Sequence, residues 1–347
     1  YSPASKKEEI RTSVNFMVTP EHKMLLSNKK GILSFHTAKE CVKLVKKGFK
    51  FARYGVCDEG TYKTHYTIPQ SKYNDANYRK RGKRPTVFPI VPFLKFLGWF
   101  LSEGSAAWIE SRGSGNIFIS QSKSEGREKF KKDMEGFPYK YGEEALGFKF
   151  RGKDLAIYCK QFGKCKDKFI PRDILNLHPV LLEHLLDCLI SGDGYWANTK
   201  THGDRYRWNY STTSKQLADD VMELGVKLGF AMRSSQGKTP IGNDVWNLTG
   251  FRHRDAGCFC LKKNKYEGKV YCIEVLPYHT LVTRYAQSIV ITGNSSAFNY
   301  IWMEESTEFT YEDFKILLLR LREPTKDGNK NQFFLSFNPI DEFHWIK

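Results

Sequence analysis

Hydrophobic and polar positions follow three regimes along the chain. Between residues 12 and 70, short β-like runs, Val14-Asn15-Phe16-Met17-Val18 and Lys63-Thr64-His65-Tyr66-Thr67-Ile68, flank one stretch of helical spacing near Ala38 to Lys47. This predicts a small β-rich unit. Residues 71 to 86 are polar, basic and aperiodic, and read as a linker. From about 88 to 256 the apolar runs lengthen and repeat: helices are predicted over Phe93 to Ser105 and Val180 to Tyr195. Each precedes a strand (116–122 and 205–214) and then a helix (125–134 and 215–228), a degenerate internal repeat. Beyond a basic loop over 262–269, the pattern predicts a strand at 269–275 and a hairpin reaching Ile289-Val290-Ile291-Thr292-Gly293-Asn294. After Ser295 come one strand, one helix and another strand, too few residues for a complete domain.

The repeat carries chemistry. Both long helices end in a small residue, a carboxylate and a glycine: Ser102-Glu103-Gly104 and Gly192-Asp193-Gly194, the acids ninety residues apart. Glycine just past a helix is ordinary, but a carboxylate there opposes the helix dipole. Two such ends point to neutralisation by bound cations. Mg²⁺ suits carboxylates and water, and paired ions can stabilise both the attacking and the leaving oxygen of a phosphodiester.

Composition adds a partner class. With 55 Lys+Arg against 38 Asp+Glu, the formal charge of +17 favours a polyanion such as nucleic acid, although a solvated cationic face would give the same total. The 40% hydrophobic content is that of a globular protein. No run of about 18 apolar residues offers a membrane span, and Tyr1 to Lys7 lack the apolar core of a signal peptide. A cytoplasmic protein is expected. Its eight scattered cysteines are expected to be reduced, and Cys258-Phe259-Cys260, with no second pair at zinc spacing, reads as strand packing. The chain opens on Tyr1 without an initiator methionine, so it is expected to begin inside a longer sequence.

Both repeated segments resemble the LAGLIDADG (dodecapeptide) motifs of homing endonucleases. Glu103 and Asp193 match the metal-binding acid, and Gly104 and Gly194 the closing glycine of the metal set. The resemblance implies two αββαββα halves whose motif helices pack side by side, and sheets forming a saddle along the DNA major groove, where base edges are distinguishable. Two repeats in one chain imply a monomeric nuclease. Lys168-Phe169-Ile170-Pro171 resembles the family's Lys-x-Ile-Pro segment, whose lysine assists cleavage; a plain surface lysine is the alternative. Gln121 is a candidate for positioning water or phosphate. No matching basic residue is identifiable in the second half.

The flanks resemble an intein splicing (Hint) domain. Thr19 and His22 match its Thr-x-x-His motif, which polarises the upstream scissile amide. Val270 to Val275 with His279, and Ile291 to Asn294 before Ser295, match its C-terminal motifs. The resemblance implies that Asn294 cyclises through its side-chain amide, that Ser295 accepts the acyl group as first residue of the host protein, and that His279 donates a proton or holds the oxyanion. There are departures. The N-terminal Cys or Ser nucleophile is absent, Gly293 replaces the penultimate His, and Cys272 stands where many inteins have Asp. Cys272 reads either as a branching nucleophile or as a buried strand cysteine. After Asn294, Tyr300-Ile301-Trp302-Met303-Glu304-Glu305 has the form of a Walker B strand, and Phe333 to Pro339 that of a second strand ending in polar residues. Together they resemble the large terminase subunit of tailed bacteriophages, without its phosphate loop.

These readings combine into an α+β chain: a two-repeat LAGLIDADG saddle (88–256) inserted in a β-rich splicing domain (1–70 and 257–294), with a basic linker at 71–87 and a partial α/β ATPase segment at 295–347. The expected function is site-specific, Mg²⁺-dependent cleavage of double-stranded DNA, with partner-dependent processing at Asn294-Ser295. A DNA-binding module without cleavage, or a terminase fragment whose main activity is self-processing, are the alternatives. Expected partners are a long duplex target in the uninterrupted terminase gene and the missing N-terminal intein segment, in a bacterial host cell of a phage or prophage.

Overall fold

The computed structural model describes residues 16–55, 57–71, 84–109, 114–199, 203–252, 265–268, 275, 280–285, 288–293, 300–318, 321, 330–337 and 345–346. They form two compact units: one takes in the described residues of 51–258 and 283–290, the other those of 16–50, 259–282 and 291–347.

In the latter unit, strands β1 (Lys23–Ser27) and β2 (Leu33–Thr37) pair antiparallel across a turn closed by Asn28, whose side chain accepts from the amides of Lys30 and Ile32. Helix α1 (Ala38–Lys46) starts on a capping box, Thr37 Oγ1 accepting from Glu40 N and Glu40 Oε2 from Thr37 N. This matches the helix expected there. Phe16–Val18, expected as the end of a strand, are not in one; β1 and β2 are the strands of this stretch. Strand β3 (Lys50–Phe51) follows, at the boundary of the two units.

The larger unit begins with β4 (His65–Thr67) and β5 (Val87–Pro89), an antiparallel pair that puts Tyr66 and Phe88 into the core. Tyr66 and Ile68 therefore pack with the central repeats, although the sequence pattern groups them with the N-terminal run. Then come α2 (Ile90–Glu103), β6 (Gly104–Ile109), β7 (Ser114–Ser120), α3 (Ser124–Asp133), β8 (Tyr141–Glu144), β9 (Gly147–Arg151) and α4 (Lys153–Lys160). This is one αββαββα set, its strands in the order β6-β7-β9-β8, all antiparallel. After a short α5 (Arg172–Leu175) the order recurs: α6 (Pro179–Asp193), β10 (Gly194–Thr199), β11 (Gly203–Thr212), α7 (Lys215–Lys227), β12 (Phe230–Lys238) and β13 (Asp244–Arg252). The second set pairs β10-β11-β13-β12. Residues 253–264, which follow β13, lie outside the described residues.

Alternation explains which sheet face is buried. In the first sheet Ile117, Ile119, Phe148 and Phe150 point into the core; in the second Trp208, Tyr210, Met232 and Leu248 do so. Helix α2 is buried almost all round, Phe93, Leu94, Phe96, Leu97, Trp99 and Phe100 being inaccessible, as befits a helix sandwiched between sheet and partner helix. The partner is α6. At their crossing a Cβ on Gly98 would stand 2.7 Å from Cys188 Cβ and 2.8 Å from Leu185 O, so only glycine permits this approach. On the far side Lys129 of α3 bridges Asp133 (3.0 Å) and Asp187 of α6 (2.8 Å), tying the first repeat to the second motif helix.

The remainder comprises β14 (Thr280–Tyr285), β15 (Ser288–Gly293), β16 (Tyr300–Met303), α8 (Tyr311–Leu318) and β17 (Gln332–Leu335). β16 and β17 pair in parallel, Tyr300 opposite Gln332, and their strand–helix–strand order is the one expected of the tail. Among the described residues no helix is long and apolar enough to cross a membrane.

Candidate active site at the paired helix ends

Glu103 and Asp193 are the last residues of α2 and α6, so parallel packing of the two helices delivers both acids to one place. A Cβ on Gly192 would collide with Ser102 Cβ and stand 3.3 Å from Glu103 Cγ, which brings the backbone just before Asp193 against the stem of Glu103. The closing glycines serve a purpose other than the left-handed helix cap. Gly104 (φ −91°) and Gly194 (φ −147°) are extended and start β6 and β10 at once. A Cβ on Gly104 would strike the Phe100 ring, and one on Gly194 the carbonyl of Asn209. Close approach, rather than torsion, requires glycine there.

Electrostatically the pair is under-neutralised. Burial pushes the Glu103 carboxyl above the usual range, with Lys168 and Lys123 pulling it back. Asp193 has open surface on one side, yet protein crowds it on the others; desolvation, then the charge of Glu103, push its pKa up to about 7 against the pull of Lys168. Two carboxylates sharing a site disfavour each other's ionisation, and a divalent cation would relieve both. The donor set fits Mg²⁺, which binds through one or two carboxylates and keeps its remaining positions for water and phosphate oxygens. Among the described residues no group of three or more His, Cys, Asp or Glu side chains forms a closed metal cage.

Lys168 does reach this site. It is 3% exposed, and its Nζ donates to Phe100 O (2.8 Å), Gly104 O (2.7 Å) and Ser102 O (3.4 Å). The ammonium thus caps the carbonyl end of α2, offsetting the dipole that a terminal carboxylate aggravates. Desolvation lowers its pKa against the pull of Cys165 and the two acids. The second repeat holds the segment: Ser214 Oγ, at the N-cap of α7, donates to Lys168 O (2.6 Å), and Asp220 Oδ2 accepts from Ile170 N (2.8 Å).

Gln121 is buried just beyond β7, two residues past Ile119, the register partner of Gly104. Its Oε1 accepts from Lys123 N (3.2 Å), and its amide group lies against Gly126. Thr212 does the same in the second repeat, its Oγ1 accepting from Ser214 N (3.1 Å). The side chain of Gln121 is therefore engaged in a turn common to both repeats. Lys123, absent from the sequence-based candidates, is the second cation acting on Glu103; its location in a polar turn offered no signal.

Strand alternation leaves a mixed second face on the first sheet, with Phe118 between Ser105 and Lys149, and a largely polar one on the second. In the second repeat, register aligns Arg207 with Phe251, Asn209 with Thr249 and Ser211 with Asn247, and Thr249 and Asn247 in turn with Arg233 and Ser235. Thr249 Oγ1 donates to Asn209 Oδ1 (2.9 Å), and Ser211 Oγ to Asn247 Oδ1 (2.8 Å).

In the other unit, Thr19 is exposed and its carbonyl accepts from His22 N (3.1 Å). His22 is half-buried, and desolvation lowers its pKa. Cys272, His279, Asn294 and Ser295 lie outside the described residues, as do Cys258 and Cys260. Glu304 and Glu305 are both exposed at the end of β16. Glu305 is left-handed (φ +50°), and Ser306 N donates to Ser336 O, joining the ends of the two parallel strands.

Residues 287–347 match the family model of the phage terminase large subunit. That segment includes β16, α8 and β17. Among solved structures, the chain is similar to mesophilic variants of the homing endonuclease I-DmoI at 13% identity, covering 46% of this chain and 89% of that one, with a TM-score of 0.34. It is also similar to the homing endonuclease I-WcaI bound to its DNA recognition sequence, at 12% identity, covering 49% and 78%, with a TM-score of 0.32. No curated protein matches the sequence.

Proposed function

We propose that this chain is a site-specific, Mg²⁺-dependent DNA double-strand endonuclease carried inside an intein, with Glu103 and Asp193 holding the metal. The observation that carries the reading is the meeting of two mutually repelling carboxylates at paired helix ends, where the buried ammonium of Lys168 is already bonded to three carbonyls. Divalent cations bound there would stabilise the attacking and leaving oxygens of a phosphodiester. The protein's own part is to hold the two acids in register, brace the end of α2 through Lys168, and present the polar side chains of the sheet faces to the duplex. Arginine suits guanine and asparagine suits adenine in the major groove, so Arg207, Arg233, Asn209 and Asn247 are base-reading candidates. The charge of +17 supplies phosphate affinity.

The terminase match at 287–347 supports reading the tail as host-protein sequence; it begins eight residues ahead of Ser295, and 1–70 and 257–294 are taken as splicing segments from their sequence motifs alone. On that reading, the side-chain amide nitrogen of Asn294 attacks its own carbonyl, releasing the amine of Ser295 as a succinimide forms. Thr19 and His22 polarise the upstream amide, and His279 assists; Glu304 and Glu305 are remnants of an ATPase site.

The test is incubation of the purified chain with a plasmid bearing the uninterrupted terminase gene and Mg²⁺. One double-strand break is expected, and Glu103→Gln or Asp193→Asn should lower its rate by about 10³-fold while leaving DNA affinity near that of the parent. Binding without a break would reduce the chain to a DNA-binding module. Release of residues 295–347, read by mass spectrometry, tests processing at Asn294 separately.

A further inference from the structure

Immediately beneath the acids, a polar contact joins the two motif helices directly. Ser102, the neighbour of Glu103, donates its hydroxyl proton to Leu189 O of the other helix at 3.0 Å. A serine hydroxyl has one proton, so in the contact of 3.4 Å between Ser102 Oγ and Tyr210 Oη the tyrosine must be the donor. Leu189 O is also the carbonyl that the i to i−4 helical pattern assigns to the amide of Asp193. The chain of bonds therefore runs from Tyr210 O–H to Ser102 Oγ to Leu189 O, which Asp193 N–H shares, and it links the backbone beside one acid to the backbone of the other.

The surrounding packing allows this bond on one side only. Gly192, the counterpart of Ser102 ninety residues on, has no room for a side chain because Ser102 Cβ occupies it. Tyr210 is 1% exposed and lies opposite Gly194 in the β10–β11 register, so its hydroxyl is delivered from the sheet beneath Asp193. Apolar packing resists separation of two helices but only weakly resists sliding. Directional bonds from the half-buried Ser102 hydroxyl and the buried Tyr210 hydroxyl do resist it, and desolvating an unpartnered tyrosine hydroxyl would be a cost.

We propose that Ser102 and Tyr210 are positioning residues that set the spacing of Glu103 and Asp193, and through it their joint affinity for divalent cations. This rests on the nuclease reading above. The experiment compares Tyr210→Phe and Ser102→Ala, each removing one hydroxyl, with the parent and with Glu103→Gln. Mn²⁺ binding to the DNA-free chain is followed by electron paramagnetic resonance, and cleavage is titrated with Mg²⁺. Both hydroxyl variants should bind Mn²⁺ about tenfold more weakly and need correspondingly more Mg²⁺ for half-maximal cleavage, as for other residues that orient ligands. At saturating Mg²⁺ their rates should return to within about threefold of the parent. A lowered metal-free melting temperature with unmoved Mn²⁺ affinity and unmoved half-saturating Mg²⁺ would mean packing alone and would overturn the proposal. If Glu103→Gln also keeps the parent's Mn²⁺ binding, the nuclease reading itself falls, and this one with it.

Discussion

Glu103 and Asp193 end equivalent helices, follow equivalent small residues and precede equivalent glycines, yet their surroundings differ. At the end of α2 the carbonyls of Phe100, Ser102 and Gly104 are met by the Lys168 ammonium, and Lys123 adds a second positive charge near Glu103. At Asp193 only Lys168 opposes desolvation and the charge of Glu103. The position equivalent to Lys123, at the start of the following helix, is Ser214, which caps α7 and anchors the main chain of Lys168. The two repeats share a scaffold, and their ends do different work: one braces, the other carries more of the unneutralised charge.

The sharpest way to break this contrast is Lys168→Met, which keeps the stem and removes the ammonium. Two buried carbonyls and a partly buried third lose a charged donor, and the loss of unfolding free energy should be about 2–3 kcal/mol in urea denaturation. A change below about 0.5 kcal/mol would mean that the bracing is negligible.

The pH dependence of stability comes next. Asp193 has a folded pKa raised to about 7 in the metal-free protein, so between the ordinary carboxylate range and that value the folded state holds more protons than the unfolded chain. Stability from this group must therefore fall as pH rises through that window and level off above it. Metal-free melting temperatures measured from pH 5 to 8 should show a decline that Asp193→Asn largely removes and Glu103→Gln reduces less; equal effects would erase the asymmetry. The smallest effect is expected for Lys123→Ala, an exposed cation. It should raise the half-saturating Mg²⁺ by no more than about threefold, and a loss of unfolding free energy as large as that of Lys168→Met would shift the bracing role to Lys123.

Parts of this arrangement were legible from residue order. The two apolar runs ending in carboxylate and glycine mark α2 and α6, because a helix buried on most of its surface leaves a long hydrophobic record. Strands β6 and β10 left almost none: they begin at the glycines themselves, and Gly104-Ser105-Ala106-Ala107 has no alternation to detect. β8, β9 and α4 are short and polar on one side, and the pattern of the first repeat is completed only by their pairing. Lys168 was placed near the chemistry by resemblance, but its bonding was not, since its carbonyl partners lie more than sixty residues away along the chain. Ser102 read only as the small residue ahead of a carboxylate, and Tyr210 only as one position of the strand over 205–214; contact between the repeats joins them.

The crossing of α2 and α6 also limits how such a gene can change. At two levels each residue faces its own counterpart ninety positions away, Gly98 against Cys188 and Ser102 against Gly192, and in each pair one member has no side chain. The space belongs to the pair. A methyl added to one partner has to be surrendered by the other, so the duplicated halves cannot drift separately there, and the asymmetry once adopted is hereditary: reversing it takes two coordinated substitutions through an overcrowded or hollow intermediate.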